Sequence, residues 1–327
     1  MKYKIGEISE KAQMMPKTQA VQKRRNVTKA LDCFVNFLLA CLPLIGFLLF
    51  MLIPMMMGFG MSFMELHTPV FSDGALCGFD NYARLLWGED AAMFYRAFFN
   101  TVIFWLNVPI SMALGLGISY LLNREIVAKK FFRTVFFIPY VCSIVACTLM
   151  FKMMYETNFG IFNTMLSSFG ISNIEWITDP DLIVWSSMFM QSWRNIGFCV
   201  ILFQAALANV DRSMYEAAEL DGAGSGTIFL RITFPAVSPT TYYLLTVCTI
   251  GAFQVMGEVQ VMAAGNQTFL GDAYRPLMLF IYDMAFYAPR QYGFGIASAA
   301  SWLLAIIILI VTQISSRLSK KWVHYEF

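Results

Sequence analysis

LIVWSSMFMQSWRNIGFCVILFQAALANV, residues Leu182–Val210, carries a single formal charge, Arg194. An α-helix rises about 1.5 Å per residue, so roughly 20 apolar residues cross the hydrocarbon core of a bilayer. The stretch reads as a membrane-spanning helix. Five more runs nearly free of Asp, Glu, Lys and Arg read the same way: Cys33–Met64, Ala97–Asn123, Thr134–Phe151, Ile232–Gly257 and Gln291–Ser316. The expected fold class is therefore all-α, a polytopic membrane protein with six transmembrane helices. The first run starts too far in, and is too long, for a cleavable signal peptide. Its Pro43 and Pro54 are tolerable where neighbours satisfy the freed carbonyls.

Composition agrees. Of 327 residues 58% are hydrophobic and 13% charged, against about 45–50% and about 25% in soluble domains. That excludes disorder, which needs low hydrophobicity and high net charge. A net charge of +2, with no basic stripe beyond one tail, argues against a nucleic-acid partner. Six of the seven cysteines lie in or beside apolar runs, with Cys77 alone in a polar loop. No C-x-x-C pair or zinc spacing occurs, so they read as small buried hydrophobes and no metal site is expected.

Charge sorting predicts orientation. The tail 1–32 holds eight Lys/Arg, the connection after the second span holds Arg124, Lys129, Lys130 and Arg133, and the fourth connection holds Arg212 and Arg231. With Arg317, Lys320 and Lys321 this places seventeen cations on one side, against Arg84, Arg96, Lys152, Arg275 and Arg290 on the other. The positive-inside rule makes both termini cytoplasmic, as an even number of spans requires. The domains expected are a basic tail 1–32, a six-helix domain 33–317 with a distinctive loop 209–239, and a C-terminal tail 318–327.

That loop reads NVDRSMYEAAELDGAGSGTIFLRITFPAVSP, residues 209–239. Ser213 and Glu216 have capping-box spacing for a helix through Leu220, and Gly222 allows it to end. A second helical stretch, Thr227–Thr233, leads to Pro235. Glu216, Glu219 and Asp221 are acidic, while Ala217, Ala218 and Ala223 allow another surface to approach closely. The glycines are not a phosphate loop: no Lys follows them and no strand precedes.

The pattern E-A-A-x-x-D-G-A with a following Phe, Ile and Pro resembles the EAA motif of permease subunits of binding-protein-dependent ABC importers. Glu216, Ala217, Ala218, Asp221, Gly222, Ala223, Phe229, Ile232, Pro235 and Pro239 fall on it. Gly78-Phe-Asp-Asn-Tyr82, Asn100-Thr101, Gly115-Leu-Gly117, Leu121-Leu-Asn123, Arg133-Thr-Val-Phe-Phe-Ile-Pro139 and Trp176-Ile-Thr-Asp-Pro180 are similar to the carbohydrate class, of MalF/UgpA-like rather than MalG-like type. The cluster Gly222, Gly224 and Gly226 departs from a family that often has a large or polar residue near the last of these.

The resemblance implies the MetI-like fold of type I importer permeases. It implies a bacterial plasma-membrane subunit, not itself an enzyme, forming half a pore with a second, MalG-like permease. Two ATP-binding subunits would dock on the cytoplasmic side and hold the ATP and Mg, leaving no cofactor in this chain. An extracytoplasmic solute-binding protein would dock opposite, and lipid would surround the rest. ATPase coupling would run through Glu216, Ala217, Ala218, Asp221, Gly222, Ala223, Phe229 and Pro235.

Polar side chains inside spans are costly and mark cavities or partners. Gln191, Trp193, Arg194 and Asn195 of the fourth span and Gln254 and Glu258 of the fifth are therefore candidates for a substrate path. Two readings are open: these groups line the path, or Arg194 pairs with Glu258 while Trp193 faces lipid. An ATP-independent secondary transporter or channel subunit is the alternative function, but it gives the Glu216–Pro235 pattern no purpose. A membrane enzyme would need an intramembrane constellation, and only His67 and His324 are present as histidines.

Overall fold

A computed structural model of the chain describes residues 35–70, 72, 74–123, 128–287 and 293–324. The whole of the basic tail 1–32, Cys33, Arg124 and Arg290 lie outside the described residues. The chain divides into two units, Met1–Gly60 and Met61–Phe327.

The described residues of the first unit all lie in α1 (Val35–Met61), 27 residues with a mean hydropathy of 2.6. Its turn Leu48–Leu52 is a π-helix. Pro54 follows, and a proline removes one ladder donor, freeing the carbonyl four residues back.

The second unit opens with the short antiparallel pair β1 (Met64–Glu65) and β2 (Ala75–Leu76), in register Met64↔Leu76. Helix α2 (Asp80–Leu86) follows. The Asn81 amide donates to the carbonyls of Ser62 (3.0 Å) and Met64 (2.9 Å). The Phe294 amide donates to the Leu66 carbonyl (3.1 Å), tying this segment to the last span.

The second span is α3 (Ala91–Trp105) and α4 (Asn107–Asn123). It starts six residues earlier than expected, so Arg96 lies within a helix. The interruption at Leu106 sits just before Pro109, whose ring excludes a normal bond to the Trp105 carbonyl. The third span, expected as one run over Thr134–Phe151, is two helices, α5 (Lys129–Val141) and α6 (Ile144–Met154), meeting at 98°. Extended backbone at Cys142 and Ser143 turns the chain there.

After α7 (Ile161–Ser168) comes α8 (Ile183–Ala208), then α9 (Arg212–Leu220), turned 75° from it. Helix α10 (Ser225–Ile228) continues through a π-turn, Phe229–Thr233, and Phe234–Ala236. The fifth span is α11 (Ser238–Phe253) and α12 (Gly257–Ala263), bent by 45°. Helices α13 (Gln267–Leu270) and α14 (Leu277–Phe286) precede α15 (Gly293–Ser319). Helix α14 was not expected; it is apolar but only 10 residues long. Among the described residues three helices can cross a membrane by length and composition, and up to six spans result if each bent pair is one.

Helix α8 is the hub, touching α4, α5, α6, α11 and α12. Small residues let the backbones close up, as is usual where helices meet in lipid. A Cβ on Gly197 would lie 2.2 Å from the Phe136 carbonyl oxygen, and one on Gly115 would lie 2.4 Å from Cys199 Cβ. Ser111 and Ser119 donate across to the carbonyls of Ser192 (3.2 Å) and Val200 (3.0 Å).

Candidate functional site

Two regions are built from the expected site residues. The first is the acidic loop. Helix α9 starts at Asp211, not at the Ser213–Glu216 box. The Asp211 side chain accepts from the Ser213 amide at 2.9 Å, satisfying a first-turn donor. That bond, with the Ser213 side chain, holds the Asp211 carboxyl below its ordinary range. Glu216 pairs with Arg212 at 3.2 Å on the exposed surface.

The helix ends as a glycine stop. Gly222 has φ +78°, the Ala223 amide donates to the Ala218 carbonyl (2.9 Å), and the Gly222 amide donates to that of Glu219 (3.0 Å). This closes the last turn as a Schellman motif, which needs the left-handed residue. The glycine thus separates two short helices, as expected.

Inward contacts hold the pair in place. Phe229 meets Tyr120 of α4 edge-on at 5.1 Å. The Tyr215 and Thr233 hydroxyls lie 3.4 Å apart. On either side of Pro235, Phe234 stacks on Trp322 (6.4 Å), and the His324 amide donates to Ser238 Oγ (2.9 Å). Outward, Glu216, Ala217 and Asp221 are exposed, Ala218 and Ala223 are half-buried, and Leu220 is 90% exposed. A leucine so exposed at the end of this helix was not picked out from sequence, because its burial depends on packing and not on pattern.

The second region lies where helix breaks meet α8. Asn195 Nδ2 donates to Asn107 Oδ1 (2.9 Å), the first residue after the break in the second span. Arg194 Nη2 donates to the Tyr140 carbonyl (3.3 Å), just before the break in the third, and its guanidinium lies 5.3 Å from the Tyr140 ring centroid. Trp105 Nε1 donates to Thr249 Oγ1 (3.0 Å). The expected alternative of an Arg194–Glu258 ion pair is not what forms; Arg194 is engaged by Tyr140. Glu258 is buried in the first turn of α12, beside the amides of Met256 and its own residue.

Ser187, Gln191, Arg194 and Asn195 follow i, i+4, i+7, i+8 spacing and so share one face of α8. Ser187 Oγ, Gln191 Oε1 and Arg194 Nε are buried with no partner among the described residues. Buried polar atoms left unpaired cost about 1–3 kcal/mol each, so this face suits a polar visitor. Trp193 is half-buried, with its ring 5.1 Å from Phe151. Gln254 is exposed at the α11–α12 break. Sequence reading missed Ser187 and Asn107; the signal was a polar residue two before Pro109 in mid-span. It also placed Lys152 in a loop, whereas Lys152 ends α6 and donates to carbonyls at the end of α12, those of Val261 (3.5 Å) and Ala264.

Known proteins match this arrangement. The family model described as "Binding-protein-dependent transport system inner membrane component" covers residues 107–324. The chain is similar to the lactose transport system permease protein LacF of Rhizobium radiobacter, 32% identical over 72% of this chain and 78% of that one. It is similar to the arabinooligosaccharides transport system permease protein AraP of Bacillus subtilis, 30% identical over 84% and 85%. A chain of a bacterial alginate ABC transporter, solved with an alginate-pentasaccharide-bound periplasmic protein, shares the fold with TM-score 0.75 and 23% identity, over 90% and 96%.

Proposed function

The chain belongs to the family of binding-protein-dependent transport system inner membrane components, and on that premise we propose how it works. It is a multi-pass permease subunit of a carbohydrate-class ABC importer, with a solute-binding protein among its partners. In our reading both termini face the cytoplasm of a bacterial cell. A second, MalG-like permease completes the pore, and two ATP-binding subunits supply ATP and Mg.

Helix α9 seats on an ATP-binding subunit, with Leu220 as its apolar anchor and Glu216 and Asp221 as its charged rim. Closure of the ATPase pair moves α9, and the inward contacts through Tyr215, Phe229 and Thr233 pass that motion to the spans. Such a chain of packed groups biases a two-state pore. The sugar crosses along the α8 face, where Ser187, Gln191 and Asn195 supply hydroxyl and amide groups, with Gln254 at the neighbouring break. Broken helices beside a mid-membrane site free backbone groups for such contacts. An ATP-independent carrier would leave α9 without a task.

The observation that carries the coupling reading is Leu220, 90% exposed on a helix turned 75° from α8. The test is co-expression with candidate ATPase, second permease and binding protein, with and without Leu220→Asp. The substitution should abolish co-purification of the ATPase and sugar-stimulated ATP hydrolysis, leaving the permease pair intact. Normal coupling in that variant, or solute uptake by the chain alone, would overturn the proposal.

A further inference from the structure

Helix α5 begins with an electrostatic oddity. Lys129, Lys130 and Arg133 crowd its first turns, where the macrodipole is positive, and no acidic residue accompanies them in the first turn. Among the described residues no carboxylate forms an ion pair with any of the three; Lys129 instead reaches the Asn123 carbonyl at 3.4 Å. Arg133 and Lys130 are exposed.

Beside Arg133 a cavity of about 350 Å³ runs between α5 and α8, lined by Arg133, Phe137, Val200, Ile201, Gln204 and Ala208 among others. Gln204 is only 7% exposed, and its Nε2 donates to the Ser119 carbonyl at 3.1 Å. Its Oε1 is buried with no partner among the described residues. Val200 to Ala208 rises about 12 Å along α8. A cavity of that height spans most of one leaflet's hydrocarbon, about 15 Å.

The groove therefore offers the Arg133 guanidinium in its lining, with Lys129 and Lys130 within a turn of it on the same helix, one unsatisfied acceptor inside, and apolar walls beyond. A sugar would leave the walls unused, and an acyl chain alone would leave the cations and Gln204 unpaired. We propose that this groove binds an anionic phospholipid of the inner leaflet, of the phosphatidylglycerol type. Arg133 and the two lysines hold the phosphate, a glycerol hydroxyl donates to Gln204 Oε1, and an acyl chain lies along Phe137, Val200 and Ile201. Basic pockets between spans on the cytoplasmic side suit acidic headgroups in this way. The inference rests on the orientation proposed above. Impermeant labelling of a Lys130→Cys variant from each side of the membrane tests that orientation separately.

The experiment uses the full chain in nanodiscs of phosphatidylcholine mixed with phosphatidylglycerol, released into detergent and weighed by native mass spectrometry. The wild type should retain phosphatidylglycerol over phosphatidylcholine. Arg133→Gln should weaken retention about fivefold, while Arg133→Lys should keep most of it. Gln204→Leu should lower the preference without removing the charge attraction. Equal retention of both lipids by the wild type, or undiminished retention by Arg133→Gln, would overturn the proposal. So would full displacement by inorganic phosphate, which would mark a free-anion site.

Discussion

Gly222 gives the sharpest test of the coupling loop. Its φ of +78° is a conformation that L side chains rarely adopt, and a Cβ built there meets nothing within 4 Å. The cost of a side chain is then backbone strain alone, about 1–2 kcal/mol for alanine. Asparagine tolerates the left-handed region better, and a β-branched residue does worse. The expected order of coupling strength is therefore Gly, then Asn, then Ala, then Val. Each 1.4 kcal/mol corresponds to about tenfold in the population of the closed Schellman turn. The assay is sugar-stimulated ATP hydrolysis by the assembled importer, with amide exchange at Ala223 reporting the turn itself. If Asn and Val fail equally while Ala223 stays protected, then a partner surface rejects any Cβ, and the backbone argument is wrong.

Three further outcomes follow from other contacts. Asn195→Leu should strand the buried Asn107 amide at a cost of about 1–3 kcal/mol. The double change with Asn107→Leu should regain stability in thermal unfolding but not uptake; recovered uptake would remove Asn195 from the path. Gly197→Ala should push α5 from α8, since the new Cβ meets the Phe136 carbonyl oxygen at 2.2 Å. Overpacking of this kind costs about 1–3 kcal/mol, and an unchanged melting temperature in detergent would contradict the packing described. For Asp211, a carboxyl held low in the folded loop adds stability above its unfolded value, lost as pH falls through the folded one. Protection of the Ser213 amide should accordingly fail only below about pH 3.9, the ordinary aspartate value. Asp211→Asn should show no such transition; identical acid profiles for the two would exclude the cap.

How much was legible in the sequence depended on whether the cause was local. Hydropathy and charge sorting need only neighbouring residues, so the spans and the family-like loop could be read directly. Gly222 could be read too, because a glycine after a helical run predicts its own stop. The N-cap was misread by two residues because Asp211 and Ser213 are both good caps, and only backbone geometry chooses between them. The bend of the third span was invisible: apolar residues on both sides of Cys142 look alike whether the helix continues or turns 98°.

By itself the sequence determined the all-α membrane architecture and the acidic loop with its glycine stop. Both follow from the cost of exposing polar groups to lipid and from short-range backbone preferences. Tertiary structure alone decided that Arg194 meets Tyr140 and not Glu258, and that Asn195 meets Asn107. It also set Arg133 by a groove into which Gln204 brings an amide oxygen with no partner among the described residues. Those partners lie on different helices, distant along the chain, and packing around Gly115 and Gly197 brings them together.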